Sequence, residues 1–110
     1  MFLASVAALA ACGSSNDASG KATGSACPPT QTLTYANFGE SFVSGYCLRC
    51  HSGRESPDLS SAGAVRAHAS EIDMAAASGP NATNTTMPEG GGPTVEERAK
   101  LGEWLACGAP

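Results

Sequence analysis

Apolar and polar positions divide the 110-residue chain into unequal stretches. Residues 1–11 are almost wholly apolar, with Phe2, Leu3, Val6 and Leu9 set among alanines, and are too few to span a bilayer. From Gly13 to Ala26 the chain is Gly, Ser, Ala, Asn and Thr with one Asp and one Lys, which predicts a flexible tether. Helical periodicity starts after it. Thr34 is placed to cap a helix over 35–46, in which Phe38 and Phe42, four apart, share a face. A second helical pattern runs over 61–78, with Val65, Ala69, Ile72 and Ala76 on one side and Gly79-Pro80 as its stop. Pro80 to Pro93 is rich in Asn, Thr, Gly and Pro and reads as a loop whose single large apolar residue is Met87. Thr94 and Glu97 then form a capping box for a last helix, with Leu101, Trp104 and Leu105 as its apolar face and Gly108 as its stop. No segment alternates as a strand does. The expected fold is all-α, with about three to four short helices and long loops.

Size and charge narrow the possibilities. The foldable part, expected over 27–110, is about 84 residues, a size that buries a modest fraction of its surface and often needs a staple, a metal or a cofactor. Its aromatic residues are Tyr35, Phe38, Phe42, Tyr46 and Trp104. The net charge of −4 falls on this part, where nine Asp and Glu face five Lys and Arg, and this argues against nucleic acid as a partner. Five cysteines in so short a chain point to an oxidising compartment. Cys12 stands alone, Cys47 and Cys50 pair locally, and Cys27 and Cys107 bracket the domain.

The local pair carries the chemistry. Cys47-Leu48-Arg49-Cys50-His51 is the attachment pattern for a c-type haem. Two thiols three apart at the end of a helical turn can each add to one haem vinyl group, and the histidine that follows is then placed under the iron as its proximal ligand. At this chain's composition the pattern arises by chance with a probability of roughly 0.004. A thioredoxin-like redox pair calls for a βαβ context and an adjacent helix N-terminus, whereas this pair follows a helix in an all-α chain. A zinc site needs a second ligand pair, and His68, Cys27 and Cys107 stand at no zinc spacing. A disulfide within the pair closes a loop too short to stabilise much.

The order of helix, CxxCH, long loops, a Met-Pro loop and a last helix with Trp104 resembles the class I c-type cytochromes over about residues 34–106. That resemblance implies a cytochrome c-like fold around one haem c per chain, bound through Cys47 and Cys50, with His51 and Met87 as axial ligands of the iron. Met74, in the second helix, is expected to pack against haem or core, and His68, the other residue that could ligate iron, to be a surface or capping residue. Gly39 stands eight residues before Cys47, where the family often has a glycine at the crossing of its first and last helices, and Gly102 is the expected counterpart. Val43 occupies the position where the family usually has an aromatic, with Phe42 one position early. Packing of the first and last helices in that family makes a Cys27–Cys107 disulfide reasonable. The second nitrogen of His51 is expected to donate to a carbonyl of the 52–57 loop, with Pro57 the nearest candidate, while Arg54, Asn84 and Thr85 carry donors for the haem propionates.

The stretch Leu9-Ala10-Ala11-Cys12 resembles the lipobox of bacterial lipoproteins. It implies a signal peptide over 1–12 that is cut before Cys12, a lipid on that thiol, a tether over 13–26, and a cytochrome domain over 27–110 on the periplasmic side of a bacterial membrane. The expected function is a monomeric electron carrier that meets redox partner proteins and is not an enzyme. The alternative is a haem-based sensor or peroxidase-like enzyme with a labile sixth ligand, although no distal acid or base cluster accompanies the motif.

Overall fold

Thr34 caps the first helix as its position predicts, its hydroxyl accepting from the Asn37 N–H at 3.1 Å while the Asn37 side chain accepts from the Thr34 N–H at 2.7 Å. In the computed structural model, which describes residues 20–110, this helix opens as a π-helical turn over Tyr35–Gly39 and continues as α1, Glu40–Tyr46. A single turn, α2, covers Leu48–His51. The expected helix over 61–78 is two helices, α3 over Ala62–Ala67 and α4 over Ala69–Ala76. The break falls at His68, whose N–H is shared between the carbonyls of Ala64 and Val65 at 3.1 and 3.2 Å, the tightening that ends a helix. The last helix, α5, covers Val95–Ala106 behind the predicted Thr94/Glu97 capping box. The all-α expectation holds among the described residues, with more and shorter pieces than three to four; Ser78 and Thr83 form an isolated bridge. The expected signal peptide, Cys12 and the first part of the tether lie outside the described residues.

The core forms where α1, α3, α4 and α5 meet. Trp104, Leu101 and Val65 are fully buried, and Phe42, Val43, Leu59 and Ile72 close around them. Each such side chain contributes about 1.5–3 kcal/mol by leaving water. Phe38 stands edge-on to Trp104 at 5.9 Å between ring centres, and Phe42 edge-on to Tyr46 at 5.0 Å. Gly39 lies directly under the Trp104 ring, the close helix crossing that its position suggested. Gly102 is not its counterpart. A side chain there would meet Ser25 Oγ at 2.5 Å and the Ser78 carbonyl at 2.8 Å, so this glycine admits the N-terminal segment instead.

That segment differs from the expected tether. Residues 20–26 run as an extended strap across α4 and the loop that follows it. The Thr23 hydroxyl donates to Asp73 Oδ1 at 2.6 Å and its N–H donates to Oδ2 at 2.9 Å, and Thr23 is 1% exposed. The Asn84 amide grips Lys21 from both sides, accepting from its N–H at 3.2 Å and donating to its carbonyl at 2.7 Å. These bonds need no apolar periodicity, which is why a Gly/Ser/Thr stretch read as a tether can be packed. Just beyond the strap, Cys27 is bonded to Cys107 across 80 positions, with the Cα atoms 4.7 Å apart. Among the described residues no helix is long and apolar enough to cross a membrane.

Candidate functional site

The CxxCH sequence sits where α1 hands over to α2. Cys47 ends α1 with its N–H on the Val43 carbonyl at 2.8 Å, and its own carbonyl accepts from the N–H groups of Cys50 and His51 at 3.2 and 2.9 Å. One short turn therefore carries both sulfurs and the imidazole. Burial pushes the Cys47 thiol up to about 11, so it stays protonated near neutral pH. A redox nucleophile needs the opposite shift. Cys47 is a free thiol, while Cys50 is disulfide-bonded, and a thioether at that sulfur requires its prior reduction.

The loop after α2 fixes the histidine. His51 Nδ1 lies 2.9 Å from the Pro57 carbonyl, the acceptor expected from the sequence, and the His51 carbonyl accepts from the Leu59 N–H at 2.7 Å. A carbonyl only accepts, so Nδ1 carries the proton. In the neutral ring Nε2 then has the lone pair, the state a metal ligand requires.

Met87 is held from the other direction. Its N–H donates to the Ala75 carbonyl at 2.9 Å, and its carbonyl accepts from Arg98 Nη1 at 2.8 Å. The loop from 77 to 94 turns back over α4 and α5 through the bonds of Ser78 N–H to the Arg98 carbonyl at 3.0 Å and Asn84 N–H to the Ala77 carbonyl at 2.9 Å.

These residues converge on one cavity of about 400 Å³, within the range of small-molecule and cofactor sites. Cys47, Cys50 and His51 form one wall, Leu59 and Ile72 contribute apolar surface, and Met87 lines it from the loop before α5. The donor set suits a porphyrin iron: two lateral sulfurs, an imidazole whose tautomer leaves Nε2 available, a thioether, and apolar walls. His68, expected as a surface or capping residue, also lines the cavity, with Nδ1 3.3 Å from Glu71 Oε1. Met74 does not line it, and neither do Arg54, Asn84 or Thr85. Asn84 is buried and its amide is spent on Lys21 and Asp73.

Arg98 is the residue that sequence reasoning passed over. It is 3% exposed and donates from Nη1 to the carbonyls of Ala76, Asn84 and Met87. Burial lowers its pKa from the ordinary arginine value, with Glu97 and Tyr46 opposing that shift. A signal was present: Arg98 shares the helical face of Leu101 and Leu105, three and seven positions on, and a charge inside an apolar stripe marks a buried polar contact. No protein-family model, curated protein or solved structure matches the chain.

Proposed function

We propose that this chain is a mono-haem c-type cytochrome on the class I plan, an electron carrier and not an enzyme. The observation that carries the reading is the convergence on one apolar cavity of the CxxCH turn, the Pro57-held imidazole of His51 and the thioether of Met87. Cys47, and Cys50 once a thiol reductant has opened its disulfide, would hold the haem through thioether bonds. A haem so bound supplies reversible one-electron chemistry at iron. The protein's part is to keep His51 in the Nε2-free tautomer, to offer a soft neutral sulfur that favours ferrous iron, and to exclude water through Leu59 and Ile72. With His51 and Met87 both as ligands the iron would have no open position, and this favours a carrier over a sensor or peroxidase-like enzyme. The lipid on Cys12, the periplasmic location and the redox partner proteins belong to the same proposal, and rest on the lipobox resemblance and the cysteine content.

The test is made on protein from a host with haem-ligating machinery. After denaturation and an acid-acetone wash, the chain keeps its absorbance and the added mass of one haem; a colourless chain refutes the reading. Met87→Ala then abolishes the near-infrared sulfur-to-iron band, lowers the reduction potential and admits carbon monoxide, whereas Met74→Leu leaves all three as they were. Rapid carbon monoxide binding by the reduced wild-type protein would show an open iron position and favour the sensor or enzyme.

A further inference from the structure

The loop that carries Met87 has little apolar substance of its own. Between Ala76 and Pro93 its side chains are mostly small or polar, and Met87 is only half-buried. Something other than packing must hold it in one place. Arg98 projects from the first turns of α5 into the space behind that loop, 3% exposed, and among the described residues it forms no ion pair. Its Nη1 lies 2.9 Å from the Ala76 carbonyl, 3.0 Å from that of Asn84 and 2.8 Å from that of Met87. Two hydrogens serve three acceptors, so one is shared. The three carbonyls are not neighbours in sequence: Ala76 closes α4, and Asn84 and Met87 lie on the far limb of the loop. One atom therefore ties the start of the loop to its end.

A buried cation is costly unless its donors are met, and an apolar residue would serve this helical face more cheaply if packing were its only task. What the charge accomplishes here is to fasten the Met87 carbonyl while the Ala75 carbonyl fastens its N–H. With both peptide groups of Met87 held, its flexible side chain starts from a fixed point on the cavity wall.

We infer that Arg98 is a positioning residue for the methionine ligand: by drawing the carbonyls of Ala76, Asn84 and Met87 to one point, it keeps the sulfur in place when the iron changes oxidation state. The inference rests on the haem reading proposed above. Arginine suits the task better than lysine because its planar fork fixes the direction of its donors, whereas an ammonium on a flexible stem does not.

The experiment compares wild type, Arg98→Met, Arg98→Lys and Val65→Ala as haem-loaded proteins. Val65 is fully buried but stands outside the cavity wall, so its truncation thins the core while leaving the hydrogen bonds of the Met87 loop in place. Haem per chain is measured first, then the near-infrared band per haem and the rate of carbon monoxide binding to the reduced protein. Arg98→Met is expected to keep one haem per chain, lose most of the band and bind carbon monoxide at least tenfold faster. Arg98→Lys falls between, and Val65→Ala keeps the wild-type band even where its melting temperature drops as far. An Arg98→Met protein with the wild-type band and rate overturns the inference while leaving the haem reading intact. So does an equal loss of band in Val65→Ala, or an Arg98→Lys protein identical to wild type. If neither Arg98 variant accumulates while Val65→Ala does, Arg98 is a folding residue and the inference is overturned. A wild-type chain without covalent haem overturns both readings together.

Discussion

Gly39→Ala is the substitution whose outcome depends most directly on the helix crossing. Gly39 has helical dihedrals, φ −60° and ψ −44°, so alanine meets no backbone obstacle there. Alone, the change gains about 1 kcal/mol of helix propensity. The crossing opposes it. A Cβ at this position would come under 3.0 Å from Cζ2 and Cη2 of Trp104, and to 3.1 Å from Cε2, against an ordinary carbon contact of about 3.5–4.0 Å. Trp104 cannot yield, being fully buried, edge-on to Phe38, and held by its indole N–H on the Pro110 carbonyl at 3.2 Å. The two helices must therefore separate by more than about 0.5 Å, and overpacking of this kind costs about 1–3 kcal/mol.

Gly45→Ala is the internal control, because Gly45 lies in α1 with nothing within 4 Å of its would-be Cβ. The propensity gain is common to both substitutions. Their difference, about 1–3 kcal/mol in favour of Gly45→Ala, isolates the clash. Urea unfolding of the haem-loaded proteins followed by far-ultraviolet circular dichroism measures it. Because α1 leads straight into Cys47, a displaced crossing also moves the CxxCH turn relative to the Met87 loop, so on the proposed haem reading Gly39→Ala should weaken the near-infrared band and Gly45→Ala should not. Equal stability of the two variants would refute the crossing and the packing argument built on it.

Two further expectations concern the ends of the domain and its acid limit. Replacing Cys27 and Cys107 together by serine should lower stability by about 4.5 kcal/mol in the chain-entropy model, read from urea midpoints with haem content unchanged; a loss under about 1 kcal/mol refutes that model for this bridge. Glu97 is held below its ordinary carboxylate value, first by the Thr94 N–H and then by the Tyr46 hydroxyl, which donates to it at 3.0 Å. Its contribution is therefore full above the unfolded value of about 4.3 and is lost as pH falls through the lower folded value, so Glu97→Gln should flatten that part of the acid unfolding curve. A mutant curve that parallels wild type over that window refutes the assignment.

Much of the fold is written in local signals. Thr34 and the Thr94/Glu97 pair mark two helix starts because a cap is decided by residues three apart, and all three places appear in the structure. The break at His68 carries no such mark: no Gly or Pro stands between Ala64 and Ala76, and the interruption comes from a hydrogen-bond register set by packing. In the candidate site, the CxxCH turn and the His51–Pro57 bond are legible because each lies within a few residues. His68 on the cavity wall is not, since the break at that very residue decides which way α4 sets off.

The parts that could not be read share a cause, and it bears on how so small a domain holds the loop that carries Met87. Asn84 gives its carbonyl to Arg98, its side-chain nitrogen to the carbonyls of Lys21 and Asp73, and its side-chain oxygen to the Lys21 N–H. Asp73 in turn takes both bonds from Thr23. Separations of 63 and 50 positions join the strap to α4 and the Met87 loop, and no periodicity or motif encodes such pairings. Where side chains are too small to pack, the chain fixes the loop with a buried polar network, and a network of this kind is stable only when every member is satisfied. Here every buried side-chain nitrogen and oxygen among the described residues has a partner. The strap is thus fastened to α4 through Thr23 and Asp73, and to the loop that carries Met87 through Lys21 and Asn84.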